Sequence, residues 1–278
     1  MKVALVLLGV IAAAAFAGPL IGAALGLDPS AVDLGARLAG PSLAHPLGTD
    51  ELGRDVLLRL FEGGRVSLMI GIAAALAAAA LGTTIGLVAG YLGGWSDRLL
   101  MRLTDAVIAL PLLPLLIVLA ALDLRKLGLP ARLVQSDQIS LVRIVALAAL
   151  VGWTTAARLV RGATLVTKTR DFVRAARSLG AGTPHILARH ILPNVLAPLI
   201  VATSLSVGDV ILLESVLSFL GLGVQPPLAS WGSMLSNAQN MIESAPQLAI
   251  YPGAMIFMTV AACNLLGDGV QRRLERRR

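Results

Sequence analysis

The chain has 278 residues, 56% of them apolar and only 14% charged, with a mean hydropathy of +0.82. Soluble domains carry about a quarter charged residues and rarely expose large apolar patches, so a water-soluble globule is excluded and the bilayer is the solvent. A single cysteine, Cys263, excludes an internal disulfide framework, and the net charge of +7 raises nucleic-acid binding as a class to be tested against where the charges fall.

A spanning helix needs about 20 mainly apolar residues. The first stretch, Val3–Leu27, is 25 residues long and uncharged. Lys2, the apolar run and Ala15-Phe16-Ala17 also fit a cleavable signal peptide. The run is longer than the usual signal core of about 7–15 residues, so a retained helix is expected over residues 1–28.

Residues 29–66 read as an outer amphipathic segment. After Asp50, the apolar residues Leu52, Val56, Leu57, Leu60 and Phe61 recur at helical spacing. They predict an interfacial helix with Asp55 and Arg59 paired four apart on its polar face and Gly63-Gly64 as its end. His45, Asp50, Glu51 and Asp55 could mimic a metal site; a solvated polar face is the reading taken, and no metal is expected. Gly48 and Gly53 have a phosphate-loop-like spacing, but no Lys-Ser/Thr follows, so the match is empty.

Residues 67–270 carry the remaining spans. Ser67–Leu92 contains Gly82, Gly86 and Gly90, every fourth residue, which leaves one helix face free of side chains for a neighbour to pack against. Leu99–Leu122 follows, with Asp105 near its inner end and Pro111 and Pro114 as interruptions. Then come Leu141–Arg158, Val195–Leu222 with Asp209 and Glu214 inside it, and Leu248–Gly267. The sum is an all-α integral membrane protein of six transmembrane helices, closed by a basic tail at 271–278.

Lys and Arg set the orientation. With the N-terminus inside, fifteen basic residues fall on inner segments and eight on outer ones, and the outer segments also hold nine of the sixteen acids. The positive charge is therefore a topology signal and not a nucleic-acid footprint. Both termini are expected in the cytoplasm.

The longest inner loop, about 162–194, reads Asp171-Phe172-Val173-Arg174-Ala175-Ala176-Arg177-Ser178-Leu179-Gly180 and continues to His190-Ile191-Leu192-Pro193-Asn194. Asp171–Leu179 predicts a short helix with Phe172, Ala175, Ala176 and Leu179 along one side. Gly180 ends it in a backbone conformation that a β-carbon resists. Thr183 is expected to cap a second short helix with Pro184 in its first turn, and Pro193 to mark the start of the next span. The product is a helical hairpin with a small-residue face that a partner can approach closely. His185 and His190, five apart, are expected on different sides of a helix, which argues against a metal pair.

The spacing of Ala175, Ala176, Gly180, Leu192 and Pro193 resembles the cytoplasmic "EAA" motif of binding-protein-dependent ABC importer permeases. Four further motifs, in order, resemble the C-type dipeptide and oligopeptide branch. They are Gly48-Thr49-Asp50-Glu51-Leu52-Gly53-Arg54-Asp55, Gly90-Tyr91-Leu92-Gly93-Gly94-Trp95, Asp105 with Ala109-Leu110-Pro111, and Leu217-Ser218-Phe219-Leu220-Gly221-Leu222-Gly223 with Pro226-Pro227.

The resemblance implies a type I importer permease fold, five core helices plus an N-terminal helix, in a bacterial inner membrane. It implies four kinds of partner: a second homologous permease, two ATP-binding subunits, an external substrate-binding protein and the lipid bilayer. It also implies that ATP and Mg sit on the ATPases, with no cofactor on this chain, and that Arg174, Ala175, Ala176, Ser178, Leu179 and Gly180 form the ATPase-coupling surface. Arg174 stands where the motif has Glu, so no family salt bridge is carried over. Cargo in the branch includes dipeptides, oligopeptides, glutathione, nickel chelates and sugar conjugates, and peptide is the expectation.

Ionisable residues within spans are costly and point to function. Asp105 is expected to be structural and to reach interfacial water. Asp209 and Glu214 are candidates for the substrate path, and Glu214 resembles a position acidic in many peptide permeases. Five apart, they lie about 140° apart around the helix. The same three acids could serve a proton-coupled secondary transporter, but no internal repeat of that class is found. A membrane-embedded hydrolase would need a nucleophile and base side by side, and the spans offer no such pair.

Overall fold

The computed structural model describes residues 1–24, 27–122, 130 and 137–275. All regular structure among them is helical, apart from one isolated bridge between Thr49 and Asp55. The outer Arg125, Lys126 and Arg132 and the last three arginines of the tail lie outside the described residues.

The helices are α1 (Lys2–Ala24), α2 (Val56–Leu92), α3 (Gly94–Ala109), α4 (Leu112–Ala121), α5 (Asp137–Thr167), α6 (Asp171–Ser178), α7 (Leu192–Phe219), α8 (Trp231–Ala238) and α9 (Gln247–Glu275). Helical turns at Thr183–His185 and a π-helical run at Ile186–Ile191 lead into α7 without a break. Five helical stretches are long and apolar enough to cross a membrane, and α3 with α4 makes six if that bent pair is one span. Large apolar side chains such as Val6, Leu76, Val118, Leu150 and Phe257 are exposed along these helices, as a hydrocarbon solvent allows.

Two elements differ from expectation. Gly63-Gly64 does not end a short interfacial helix, because α2 runs through both glycines as one helix of 37 residues. At 1.5 Å per residue it is roughly 55 Å long, so the expected boundary at residue 66 falls inside it. Gly in a helix interior costs up to about 1 kcal/mol. Packing offsets that cost here: a β-carbon on Gly64 would lie 2.8 Å from the Trp231 ring, and one on Gly63 3.1 Å from the Ser230 backbone.

The expected Asp55–Arg59 pair is also replaced. Asp55 is the N-cap of α2, accepting from the Leu58 N–H and meeting His45 Nδ1 at 2.9 Å. Arg59 instead points back to Asp50 at 3.5 Å, beside the tighter Arg54–Asp50 pair at 2.7 Å. A cap position leaves the side chain facing the exposed N–H groups of the first turn, so it is spent there.

The third span is interrupted at Pro111, as the sequence predicts, while α4 runs through Pro114. Leu110 and Pro111 are extended, and α3 and α4 meet at 86°. Pro111 removes an N–H and biases Leu110 away from helical geometry.

The core is organised around pairs of long helices, of which α2 and α5 run parallel. Gly82, Gly86 and Gly90 of α2 face α5, where β-carbons would lie 2.5 Å from the Trp153 carbonyl, 2.6 Å from the Ala157 carbonyl and 2.8 Å from Thr164. The two backbones therefore touch over two turns, the close approach that small residues permit. Helix α1 lies antiparallel on the first half of α2, Ala15 against Gly64 and Gly18 against Phe61. Met1 packs beside Gly269 of α9. Tyr91, at the end of α2, meets Arg177 of α6, so the N-terminus, the end of α9 and the hairpin around α6 gather at one end of the bundle.

Candidate functional site

The hairpin at that end is built on Val173. This residue is fully buried and packs with Ile186, Ile191, Val195 and Val160. Its neighbours face outward: Phe172 and Ala175 are exposed, and Leu179 retains 87% of its surface. Ala176 is half-buried, while Arg174 and Ser178 are exposed. The motif-based surface is thus split, with Val173 and Ala176 holding the helix and Phe172, Ala175 and Leu179 presenting an apolar ridge. Val173 was missed by sequence reasoning because it sits between two residues of the opposite face.

Gly180 ends the helix with φ +84°, the left-handed conformation that glycine adopts at little cost. Thr183 is not a cap. The N-cap is Gly182, and it makes no side-chain hydrogen bond.

Pro193 lies in the first turn of α7. Having no N–H, it cannot close an α-helical bond, and the chain widens before it, with the Leu192 N–H donating to the Leu187 carbonyl five residues back. The widened turn overturns the expectation for the two histidines: the His185 and His190 rings meet, centroids 5.7 Å apart, with Phe172 6.3 Å from His190. No group of three or more metal-ligating side chains occurs among the described residues.

Basic side chains tie the elements at this end together. Arg177 donates to the Tyr91 hydroxyl at 3.1 Å and lies 5.6 Å from the centre of its ring. Lys168 Nζ donates to the Gly90 carbonyl at 2.7 Å, capping the end of α2. Arg161 binds Asp97 through two hydrogen bonds, one of 2.7 Å, a bidentate geometry suited to guanidinium and carboxylate. Among the described residues Arg174, the residue in place of the motif's Glu, reaches only Asp171 of its own helix, at 3.8 Å. It is free to meet a partner.

The acids within the spans do not come together. Asp105 pairs with Arg158 at 2.6 Å, both side chains about half exposed. Glu214 has no exposed surface. Ser67 of α2 donates to one of its oxygens at 3.1 Å and Ser218 to the other at 2.6 Å. Ser67 accepts from the Trp231 N–H and Ser218 from the Val224 N–H. In this chain the Glu214 carboxyl group faces no cavity and closes a polar knot joining α2, α7 and the start of α8. Serines at Ser67 and Ser218, flanked by apolar residues, were the available signal.

Asp209 is placed differently. It lines a cavity of about 590 Å³ between the bend of α3 and α4, helix α5 and helix α7. The bend at Pro111 opens this space, with Leu110 and Leu113 on one wall, Val151 and Thr155 on another, and Ser206, Asp209 and Leu213 on the third. Polar residues are few and apolar ones many, the usual composition of a small-molecule site.

Comparison with known proteins agrees with this arrangement. Residues 82–278 match the profile of the family described as "Binding-protein-dependent transport system inner membrane component". The chain is 43% identical to the glutathione transport system permease protein GsiD of Pectobacterium atrosepticum, over 85% of this chain and 74% of that one. It is 40% identical to the dipeptide transport system permease protein DppC of Alkalihalophilus pseudofirmus, over 86% and 74%. It is 39% identical to the probable D,D-dipeptide transport system permease protein DdpC of Escherichia coli, over 89% and 78%. With a profile covering most of the chain and relatives aligned along most of theirs, the protein belongs to the family of binding-protein-dependent transport system inner membrane components.

Proposed function

We propose that this chain forms half of the translocation path for di- or oligopeptides in an ATP-driven importer. An external substrate-binding protein delivers the cargo, a second homologous permease supplies the other half of the path, and two ATP-binding subunits supply the energy. This chain binds no cofactor and hydrolyses no ATP; ATP and Mg belong to the partner subunits. It sits in the bacterial inner membrane with both termini and the α6 hairpin in the cytoplasm, an orientation supported by the fifteen-to-eight split of basic residues. The observation that carries the reading is the solvent-facing α6 ridge anchored through buried Val173, a short rigid lever at one end of a bundle whose broken third span opens a cavity.

In this reading, closure of the ATPases pushes on Phe172, Arg174, Ala175 and Leu179, with Ser178 at the rim and Ala176 and Gly180 shaping the lever. The push reaches the cavity through α7, which continues from the hairpin without a break and carries Asp209. Glutathione is the second reading for the cargo, favoured by the 43% identity to GsiD; it is itself a tripeptide.

The test is uptake by the complete five-component system in liposomes. Labelled Ala-Ala, a tripeptide and glutathione should enter only with ATP, and at the same rate when the proton gradient is collapsed. Uptake driven by a proton gradient without ATP would place the protein among secondary transporters instead.

A further inference from the structure

We propose that Asp209 is the cation contact of the translocation path, so that the cargo of this permease carries a positively charged amine. The inference rests on the peptide-importer reading and names the chemistry by which the path holds its cargo.

The cavity of about 590 Å³ lies within the range of small-molecule sites, about 300–1,000 Å³. Among the described residues, Asp209 is the one charged side chain on its wall. Two of the wall's hydroxyls are spent on their own helices: Thr154 donates to the Val151 carbonyl and Ser206 to the Ala202 carbonyl. Asp209 has no hydrogen bond or ion pair among the described residues.

The arginines of the neighbouring helix α5 are committed elsewhere. Arg143 donates to the Leu222 carbonyl, Arg158 to Asp105 and Arg161 to Asp97. A carboxylate at membrane depth without a partner is expensive, and Asp209 is exposed on the cavity wall, where a ligand can reach it. With no partner for it among the described residues, the cation comes with the cargo.

Cargo fits that requirement better than bulk water does, because most of the wall is apolar. Leu110, Leu113, Val151 and Leu213 suit hydrocarbon side chains, while the carboxylate suits an ammonium group. A short peptide offers both at once. Its α-amine has an ordinary pKa of about 7.7–8.0, so it is largely protonated at neutral pH. The competing source of the cation is a Lys or Arg of the second permease.

The test uses the whole complex in nanodiscs, loaded from saturating labelled Ala-Ala or N-acetyl-Ala-Ala and trapped with ATP and vanadate. The wild type should retain the free-amine peptide at least tenfold over the acetylated one. Asp209→Asn should bring that ratio to within twofold with subunit stoichiometry unchanged by native mass spectrometry, and Asp209→Glu should restore much of the preference. An unchanged ratio in Asp209→Asn overturns the proposal, as does loss of the second permease from the Asp209→Asn complex, which would make Asp209 an intersubunit ion pair. Wild type that retains both peptides equally removes the amine contact alone. Wild type that retains neither removes the peptide reading and this inference with it.

Discussion

Replacing Glu214 with Leu is expected to destabilise the purified chain by about 2–5 kcal/mol, whereas Glu214→Gln is expected to leave it near wild type. The carboxyl group accepts from Ser67 and Ser218, and those hydroxyls in turn accept from the Trp231 and Val224 backbone N–H groups. Leu fills a similar volume but accepts nothing, so two buried donors lose their partner at about 1–3 kcal/mol each. Gln keeps one carbonyl acceptor and most of the knot. The damage is not local: Trp231 also donates through its ring N–H to the Leu60 carbonyl, so loosening it frees the first half of α2. Thermal unfolding in detergent reads the result. A Glu214→Leu chain that melts with wild type would show that the knot does not hold these helices. Loss of uptake in a fully stable Glu214→Gln complex would return Glu214 to the path.

The largest functional effect is expected from the α6 ridge. Phe172→Ala with Leu179→Asp should weaken ATPase association at least tenfold and abolish the hydrolysis stimulated by loaded binding protein, while the membrane part folds normally. Burying a leucine contributes about 1.5–3 kcal/mol, which is roughly ten- to a hundredfold in affinity, and a buried unpaired aspartate adds a further penalty. Both side chains are exposed in the chain itself, Leu179 at 87% and Phe172 at 44%. Their loss therefore costs the bundle little. Changes at half-buried Ala176 or at Gly180, with φ +84°, would be ambiguous because they alter the hairpin before any partner meets it. Intact assembly and stimulated hydrolysis in the double variant would remove the ridge from the coupling surface.

The spans were legible because hydrocarbon demands one thing of a helix, a long run of apolar residues, and each run from Val3 to Gly267 contained one. Packing between the spans was legible where it left a regular mark, as at Gly82, Gly86 and Gly90. It was misread at Gly63-Gly64, where the same absence of a side chain serves Trp231, more than 160 residues away. Glycine announces a close approach or a turn alike, and sequence alone does not separate them. Pro111 announced an interruption but not a bend of 86°, since the bend is set by what α4 packs on.

The local structure of the candidate site was legible in part. The short helix at 171–178 and its end at Gly180 follow the sequence pattern, yet its anchor is Val173. The His185–His190 contact depends on a π-helical run, a departure that a 3.6-residue period hides. Asp209 and Glu214 illustrate the sharpest limit. Both are acids in one span, and only their surroundings, a leucine-walled cavity for one and a knot of serines for the other, assign them different work.

The most direct test of the central claim, that the exposed α6 ridge is where ATPase work enters this chain, is site-specific cross-linking at Leu179. Cys263 is the chain's one cysteine and is buried, so Leu179→Cys in a Cys263→Ser background presents a single reactive thiol. A photoactivatable maleimide probe there should cross-link to an ATP-binding subunit in membranes from cells expressing the full transporter, with a yield that changes between ATP-vanadate and nucleotide-free states. No cross-link to an ATPase in either state, from a complex that still imports peptide, would contradict the account.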